Sequence, residues 1–165
     1  MRAGVSIFAA GSIAAGILDF IWGDFEAAHQ PIQAFGDHIP GREILAYVAA
    51  LWLIAGGAAI LWRRTAPVGA LGLAAIYFIF AVFWLPRFYT APHFFGFRIS
   101  LILGLIGGVC QQLILVAAAV LVYASLAKRD SAWLSRVPLL VRWTLGLSSI
   151  KIGRASCRER VSSPV

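Results

Sequence analysis

Asp19 is the residue of this sequence best suited to chemistry, because it ends a stretch that carries no charge from Ala3 to Leu18. An ionisable group inside a membrane span costs about 3 kcal/mol at the bilayer centre, so it usually faces protein or a polar cavity. The position of Asp19 inside a predicted span therefore suggests a proton-handling or ligand-binding role for its carboxylate. The structural alternative is a carboxylate that reaches lipid headgroups or pairs with Arg87 or Arg98.

Two adjacent amides, Gln111 and Gln112, occupy the middle of the last apolar stretch. Amides in hydrocarbon need partners, and hydrogen bonds between helices are their usual use in membranes. Contact with a solute or with a quinone carbonyl is the alternative. Gly104 and Gly108 form a GxxxG pattern in the same stretch, which is typical of close helix contact.

Asp24, Arg87 and Arg98 lie in two segments, residues 23–42 and 86–98, that we expect on the outward side of a membrane. With Asp19 they could surround a quinone headgroup, together with three phenylalanines, Phe94, Phe95 and Phe97. Anchoring at the membrane interface explains the same aromatic and basic residues.

Metal binding is not predicted from the histidines. His29, His38 and His93 lack the spacing that places two ligands on one helix, although acidic residues lie near the first two. We expect solvated histidines and no metal site.

No reaction follows from the remaining motifs. The sequence contains no CxxC pair, nucleophile–base pattern, phosphate loop or dinucleotide fingerprint. Whether the protein is an enzyme is therefore left open.

The elements that carry these residues are predicted from charge and composition. Of 165 residues, 61% are hydrophobic and only 13% are charged, and the charges fall in short clusters between long apolar runs. Each run is long enough to cross a bilayer as a helix. We predict an all-α, four-helix integral membrane bundle within residues 1–127, with spans at about 5–22, 44–62, 68–85 and 99–126.

Orientation follows from the basic residues near the span ends. One side collects Arg2, Arg63, Arg64, Lys128, Arg129, Arg136 and Arg142, whereas the other has Arg42, Arg87 and Arg98. This distribution predicts that the N-terminus and the C-terminus are both cytoplasmic. The net charge of +7 is explained in the same way, so no nucleic-acid partner is expected.

Several short motifs at the span ends resemble the DoxX-like family of small bacterial four-helix membrane proteins. They are GDF at 23–25, QPI at 30–32, PGRE at 40–43, WRRTA at 62–66 and WLPR at 84–87. The resemblance covers about residues 5–126 and implies the architecture more than a reaction. The family name comes from a subunit linked to quinone-dependent thiosulfate oxidation.

The last part of the chain differs in character from the rest. Residues 152–161, IGRASCRERV, resemble a translated sequencing adapter, so we expect residues 151–165 to be a non-native tail. Residues 128–150 are expected to form a cytoplasmic linker and the start of a further span, which a lost second half of the protein would have continued. An amphipathic segment on the membrane surface is the alternative.

These observations predict a multi-pass protein of the bacterial inner membrane, accessory or structural in a membrane complex. A quinone-interacting subunit of a membrane oxidoreductase and a small-solute or proton transporter are the alternatives. The lipid bilayer and a membrane or redox partner subunit are the expected partners, and quinone is the one cofactor considered.

Overall fold

A computed structural model describes residues 3–25 and 40–127. Their five helices are α1 (Ala3–Trp22), α2 (Arg42–Leu61), α3 (Ala66–Trp84), α4 (Arg87–Phe95) and α5 (Ile99–Ala127). The predicted all-α fold is therefore confirmed for the described residues. Residues 26–39, 128–150 and 151–165, with the predictions made for them, lie outside the described part.

Four of the helices, α1, α2, α3 and α5, are long and apolar enough to cross a membrane. Each has at least 19 residues, and a helix of that length spans about 28 Å at 1.5 Å per residue. This confirms the prediction of four apolar spans and gives the architecture of a multi-pass membrane protein.

Helices α1 and α2 are antiparallel and meet through glycines. A Cβ atom on Gly16 would come within 2.7 Å of the Ala50 carbonyl oxygen, and one on Gly57 within 2.9 Å of the Ala9 carbonyl oxygen. Glycine at both positions lets the two backbones approach closely, as is usual where helices pack in membranes.

A tight turn joins α2 to α3. The Thr65 hydroxyl donates to the Ala59 carbonyl oxygen at 2.9 Å, and the Thr65 amide donates to the carbonyl oxygen of Trp62 at 3.0 Å. Gly69 of α3 then lies against Gly56 of α2. We call this end of the bundle the turn end and the opposite one the α4 end.

Trp52 links α2 to α3 halfway along their length. Its indole Nε1–H donates to the Gly72 carbonyl oxygen at 3.0 Å. This bond explains how a tryptophan is accommodated far from the interfacial positions that the residue prefers, since its one polar group is satisfied within the protein.

Helix α5 packs along α3 and runs antiparallel to it. The Trp84 ring lies directly against Gly108, where any side chain would collide with it. A Cβ atom on Gly104 would meet no heavy atom within 4 Å outside its own helix. Of the two glycines in the GxxxG pair, Gly108 is the one that lies against the Trp84 ring.

The short helix α4 was not predicted from the sequence. It contains Pro92 and exposes Tyr89 and Phe94 at the α4 end. Gly96 ends the helix with a φ of 74°, a conformation that favours glycine and turns the chain into α5.

The core changes in character along the bundle. Toward the turn end it is built from small and aliphatic side chains, namely Val5, Ala9, Ile60, Ala70, Leu73, Ala119 and Val122. Toward the α4 end it holds a chain of aromatic rings in which Phe80 contacts both Tyr77 and Phe25, with centroids 6.2 Å and 6.1 Å apart. The buried polar groups lie in this second half or at the middle of the bundle.

The α1–α2 contact predicts a strong effect of side-chain size at Gly16. Gly16→Leu should lower the free energy of unfolding in detergent by about 1–3 kcal/mol, because the leucine overlaps the α2 backbone. Gly11→Leu is the matched control in the same helix, since a Cβ there meets nothing within 4 Å. Thermal unfolding of both variants checks the packing, and equal stability would contradict it.

Candidate functional site: a buried polar cluster

Asp19 is fully buried although it lies in the last turn of α1. Ser12, Ala15 and Gly16 are buried on the same side of the helix, whereas Phe20 and Ile21 are exposed. The helical period therefore directs the carboxylate into the bundle and away from lipid. This is the orientation that the energetic cost of a membrane-embedded charge requires.

Arg87 is the second buried charge, at 1% exposure. It begins α4, and its guanidinium carbon lies 4.0 Å from the centroid of the Trp84 ring. A desolvated guanidinium over an indole face gains about 2 kcal/mol from the ring quadrupole. Trp84 thus holds the arginine at the junction of α3 and α4.

The register of α1 and α3 brings Asp19 and Arg87 to one level. Both helices run from the turn end to the α4 end, and the Ser12 and Tyr77 hydroxyls are 3.1 Å apart. Asp19 lies seven residues, or two helical turns, after Ser12 in α1. Trp84 lies seven residues after Tyr77 in α3, and the Arg87 guanidinium packs on the Trp84 ring. Two opposite charges buried at one level compensate part of each other's desolvation.

Gln112 adds an amide to this half of the core. Its side chain is fully buried, and it lies one helical turn from Gly108, the residue in contact with Trp84. The cluster therefore takes polar groups from α1, α3, α4 and α5. We call Ser12, Asp19, Tyr77, Arg87 and Gln112 the polar cluster.

The hydroxyls at the middle of the bundle are satisfied in a short chain. Ser12 donates to the Phe8 carbonyl oxygen at 3.1 Å, so the hydrogen bond with Tyr77 is donated by Tyr77. This contact ties α1 to α3 across the bundle.

Asp24 is placed differently from Asp19. Its carboxylate pairs with Arg42 at 2.8 Å and accepts the backbone N–H of Phe25 at 2.7 Å. The Asp24 side chain is 41% exposed and that of Arg42 is 22% exposed, so this ion pair sits at the surface. It fastens the end of α1 to the start of α2.

The other predicted residues of the outward segments are exposed. Phe94 and Phe95 are exposed at the end of α4, and Phe97 and Arg98 are exposed between α4 and α5. His93 stacks on Tyr89 with ring centroids 6.3 Å apart. Within residues 3–25 and 40–127 no three histidine, cysteine or acidic residues group as metal ligands, while His29 and His38 are outside these ranges.

The two adjacent glutamines of α5 differ completely in burial. Gln112 faces the core, whereas Gln111 is exposed on the surface of α5. Because Gly108 lies against Trp84 and α5 descends toward the turn end, Gln111 is about 5 Å inside the end of α3. Its amide is thus exposed on the outer surface of the bundle, within the length of α3.

Gln111 continues a line of small residues. Ser100, Gly104 and Gly107 precede it at intervals of four, three and four residues, which places all four on one side of α5. We call these four residues the α5 stripe. Small residues that permit close approach, followed by an amide, are the features of a helix-packing surface in membranes.

Sequence reasoning missed Ser12, Tyr77 and Trp84. Serine and tyrosine are common in membrane spans, and Trp84 entered the sequence analysis only as part of the WLPR motif. A signal did exist for Ser12, since its separation of seven residues from Asp19 places both on one helix face.

Comparison with known proteins gives no match, either to a protein-family model, to a curated protein or to a solved structure.

The two buried charges, Asp19 and Arg87, and the exposed ion pair of Asp24 with Arg42 predict contrasting mutant effects. Asp19→Asn and Arg87→Gln should each destabilise the protein by about 3–5 kcal/mol, and the double variant should cost much less than their sum, because each single change strands a buried charge. Asp24→Asn and Arg42→Gln should each cost about 0–1 kcal/mol, as for other exposed pairs. Unfolding in detergent measures all five variants, and additive costs for Asp19 and Arg87 would refute their coupling.

Proposed function

We propose that the chain is a DoxX-like, multi-pass protein of the bacterial inner membrane that acts as an accessory or structural component of a membrane complex. The α5 stripe is its proposed docking surface for a transmembrane helix of a partner subunit. The exposed amide of Gln111 carries this proposal, because an amide facing hydrocarbon gains from a partner that hydrogen-bonds to it.

The shape of the stripe supports the same partner. Ser100 is exposed and Gly107 is half-buried, and neither carries a large side chain, so a second helix can approach α5 closely here. Leu103 and Ile106, exposed beside the stripe, supply apolar flanks. Small residues at the centre and larger apolar ones at the side suit a second helix better than a flexible acyl chain.

The enclosure of the polar cluster is consistent with a structural role. Asp19, Arg87 and Gln112 are each no more than 1% exposed, and an apolar layer separates them from the turn end. Such a cluster fixes the positions of four helices. Both termini are placed in the cytoplasm in this proposal, on the evidence of the basic residues in the sequence.

Gly107→Leu with Gln111→Leu tests the docking surface. We expect the unaltered chain, extracted in a mild detergent from its native membranes, to migrate with a partner in fixed stoichiometry. The double variant should lose that partner while its thermal unfolding is unchanged. Gly11→Leu, on the open face of α1, is the control and should keep the partner.

A complex that survives the double variant, or an unaltered chain that is monomeric in native membranes, would overturn the proposal. Measurement of mass by native mass spectrometry distinguishes these outcomes from simple loss of expression.

A quinone-interacting subunit is the second candidate, favoured by one observation at Trp84. Its indole Nε1 is buried and has no hydrogen-bond acceptor among the described residues, and it lies beside the polar cluster. A carbonyl oxygen is the acceptor that such a donor binds.

Trp84→Phe separates this candidate from the first. It removes the donor and keeps an aromatic face for Arg87. If the candidate holds, quinone co-purifies with the unaltered chain and its amount falls in Trp84→Phe. If no quinone is present in either preparation, the candidate is excluded and the docking proposal is unaffected.

A further inference from the structure

An apolar groove runs along the lipid-facing side of α2 and α3. It encloses about 440 Å³ and is lined by Val48, Leu51, Trp52, Ala55, Gly56, Ala59, Val68, Gly69 and Gly72. From Val48 to Ala59 the groove follows α2 for eleven residues, which is about 16 Å of helix. It has the length and the lining that suit a hydrocarbon chain lying parallel to the helices.

Glycines at the contact between α2 and α3 form the floor of the groove. Gly56 and Gly69 let the two helices approach closely, and Trp52 bounds the groove through its hydrogen bond to the Gly72 carbonyl oxygen. This bond also fixes the indole as a wall of the groove. A rigid wall and a glycine floor make a preformed site, which lowers the entropic cost of binding.

Two arginines stand at the turn end of the groove. Arg63 and Arg64 are both exposed in the tight turn, within a few residues of Ala59 and Val68, the lining residues at that end. The bonds from Thr65 to Ala59 and Trp62 hold the turn in place. Trp62 is exposed in the same turn, and exposed tryptophans at span ends usually lie at the level of the lipid headgroups.

We propose that this groove and its arginines form a binding site for an anionic phospholipid. One acyl chain lies along α2 and α3, and the phosphate of the headgroup contacts Arg63 and Arg64. The charge of the turn selects the headgroup, since basic residues at the ends of membrane helices attract anionic lipids by about 1 kcal/mol each. This site is separate from the α5 stripe and from the polar cluster.

The test is lipid binding to the full chain in detergent, followed by native mass spectrometry. Phosphatidylglycerol should bind roughly 30-fold more tightly than phosphatidylcholine, from the attraction of two arginines. Arg63→Gln with Arg64→Gln should abolish that preference. Arg98→Gln, at an exposed arginine of the α4 end, is the matched control and should keep it.

Ala55→Phe tests the acyl-chain part of the site, because its ring fills the groove from an exposed position. It should weaken binding of both lipids about tenfold, whereas Ala58→Phe, exposed on the same helix outside the lining, should not. Glycerol 3-phosphate, a headgroup without chains, should not compete. An unchanged preference in the arginine variant, equal binding in Ala55→Phe or competition by glycerol 3-phosphate would each overturn the proposal.

Discussion

Hydrocarbon provides no hydrogen bonds, and this constraint accounts for most of the structure. Peptide groups satisfy one another within four long helices, and side chains follow the same rule. The Trp52 indole donates to the Gly72 carbonyl, and Ser12 donates to Phe8 while it accepts from Tyr77. The two membrane-level charges, Asp19 and Arg87, are withdrawn into the bundle rather than exposed to lipid.

The same constraint helps to interpret which polar side chains are exposed on the surface of the protein. Gln112 is buried together with Asp19 and Arg87, whereas Gln111, which has the same amide group, is exposed. The arginines of the α2–α3 turn are exposed at the boundary, where water and headgroups can solvate them. Internal polar groups thus organise the fold, while exposed ones mark the surfaces that we assign to a partner helix and to lipid.

The long helices were predictable because absence of charge over about twenty residues is an intrinsic property of the sequence. Helix α4 was not, since nine residues with Arg87 at the start and Pro92 inside carry neither the length nor the pattern of a span. Local patterns likewise do not distinguish Gln111 from Gln112, or Gly104 from Gly108. Which member of each pair faces the core depends on the rotation of α5 against α3, and that is set by the fit of the Trp84 ring on Gly108.

The candidate site was predictable in part for the same reason. The burial of Asp19 follows from its cost in lipid, and Arg87 was among the partners considered for it. The pairing of Asp24 with Arg42 instead depends on where the chain leaves α1 and enters α2, which no spacing in the sequence specifies. Ser12 and Tyr77 are 65 residues apart, and they meet only because the fold brings α1 and α3 to opposite sides of one core.

The central claim is that the four long helices cross a bilayer, and labelling of single cysteines in sealed vesicles tests it most directly. Pro40→Cys and Arg64→Cys, both exposed beyond helix ends, would be made with Cys110 and Cys157 changed to serine, alongside the lipid-facing Ala58→Cys. A membrane-impermeant maleimide should label positions 40 and 64 from opposite sides and leave position 58 unlabelled. Labelling of positions 40 and 64 from one side, or labelling of position 58, would contradict the account.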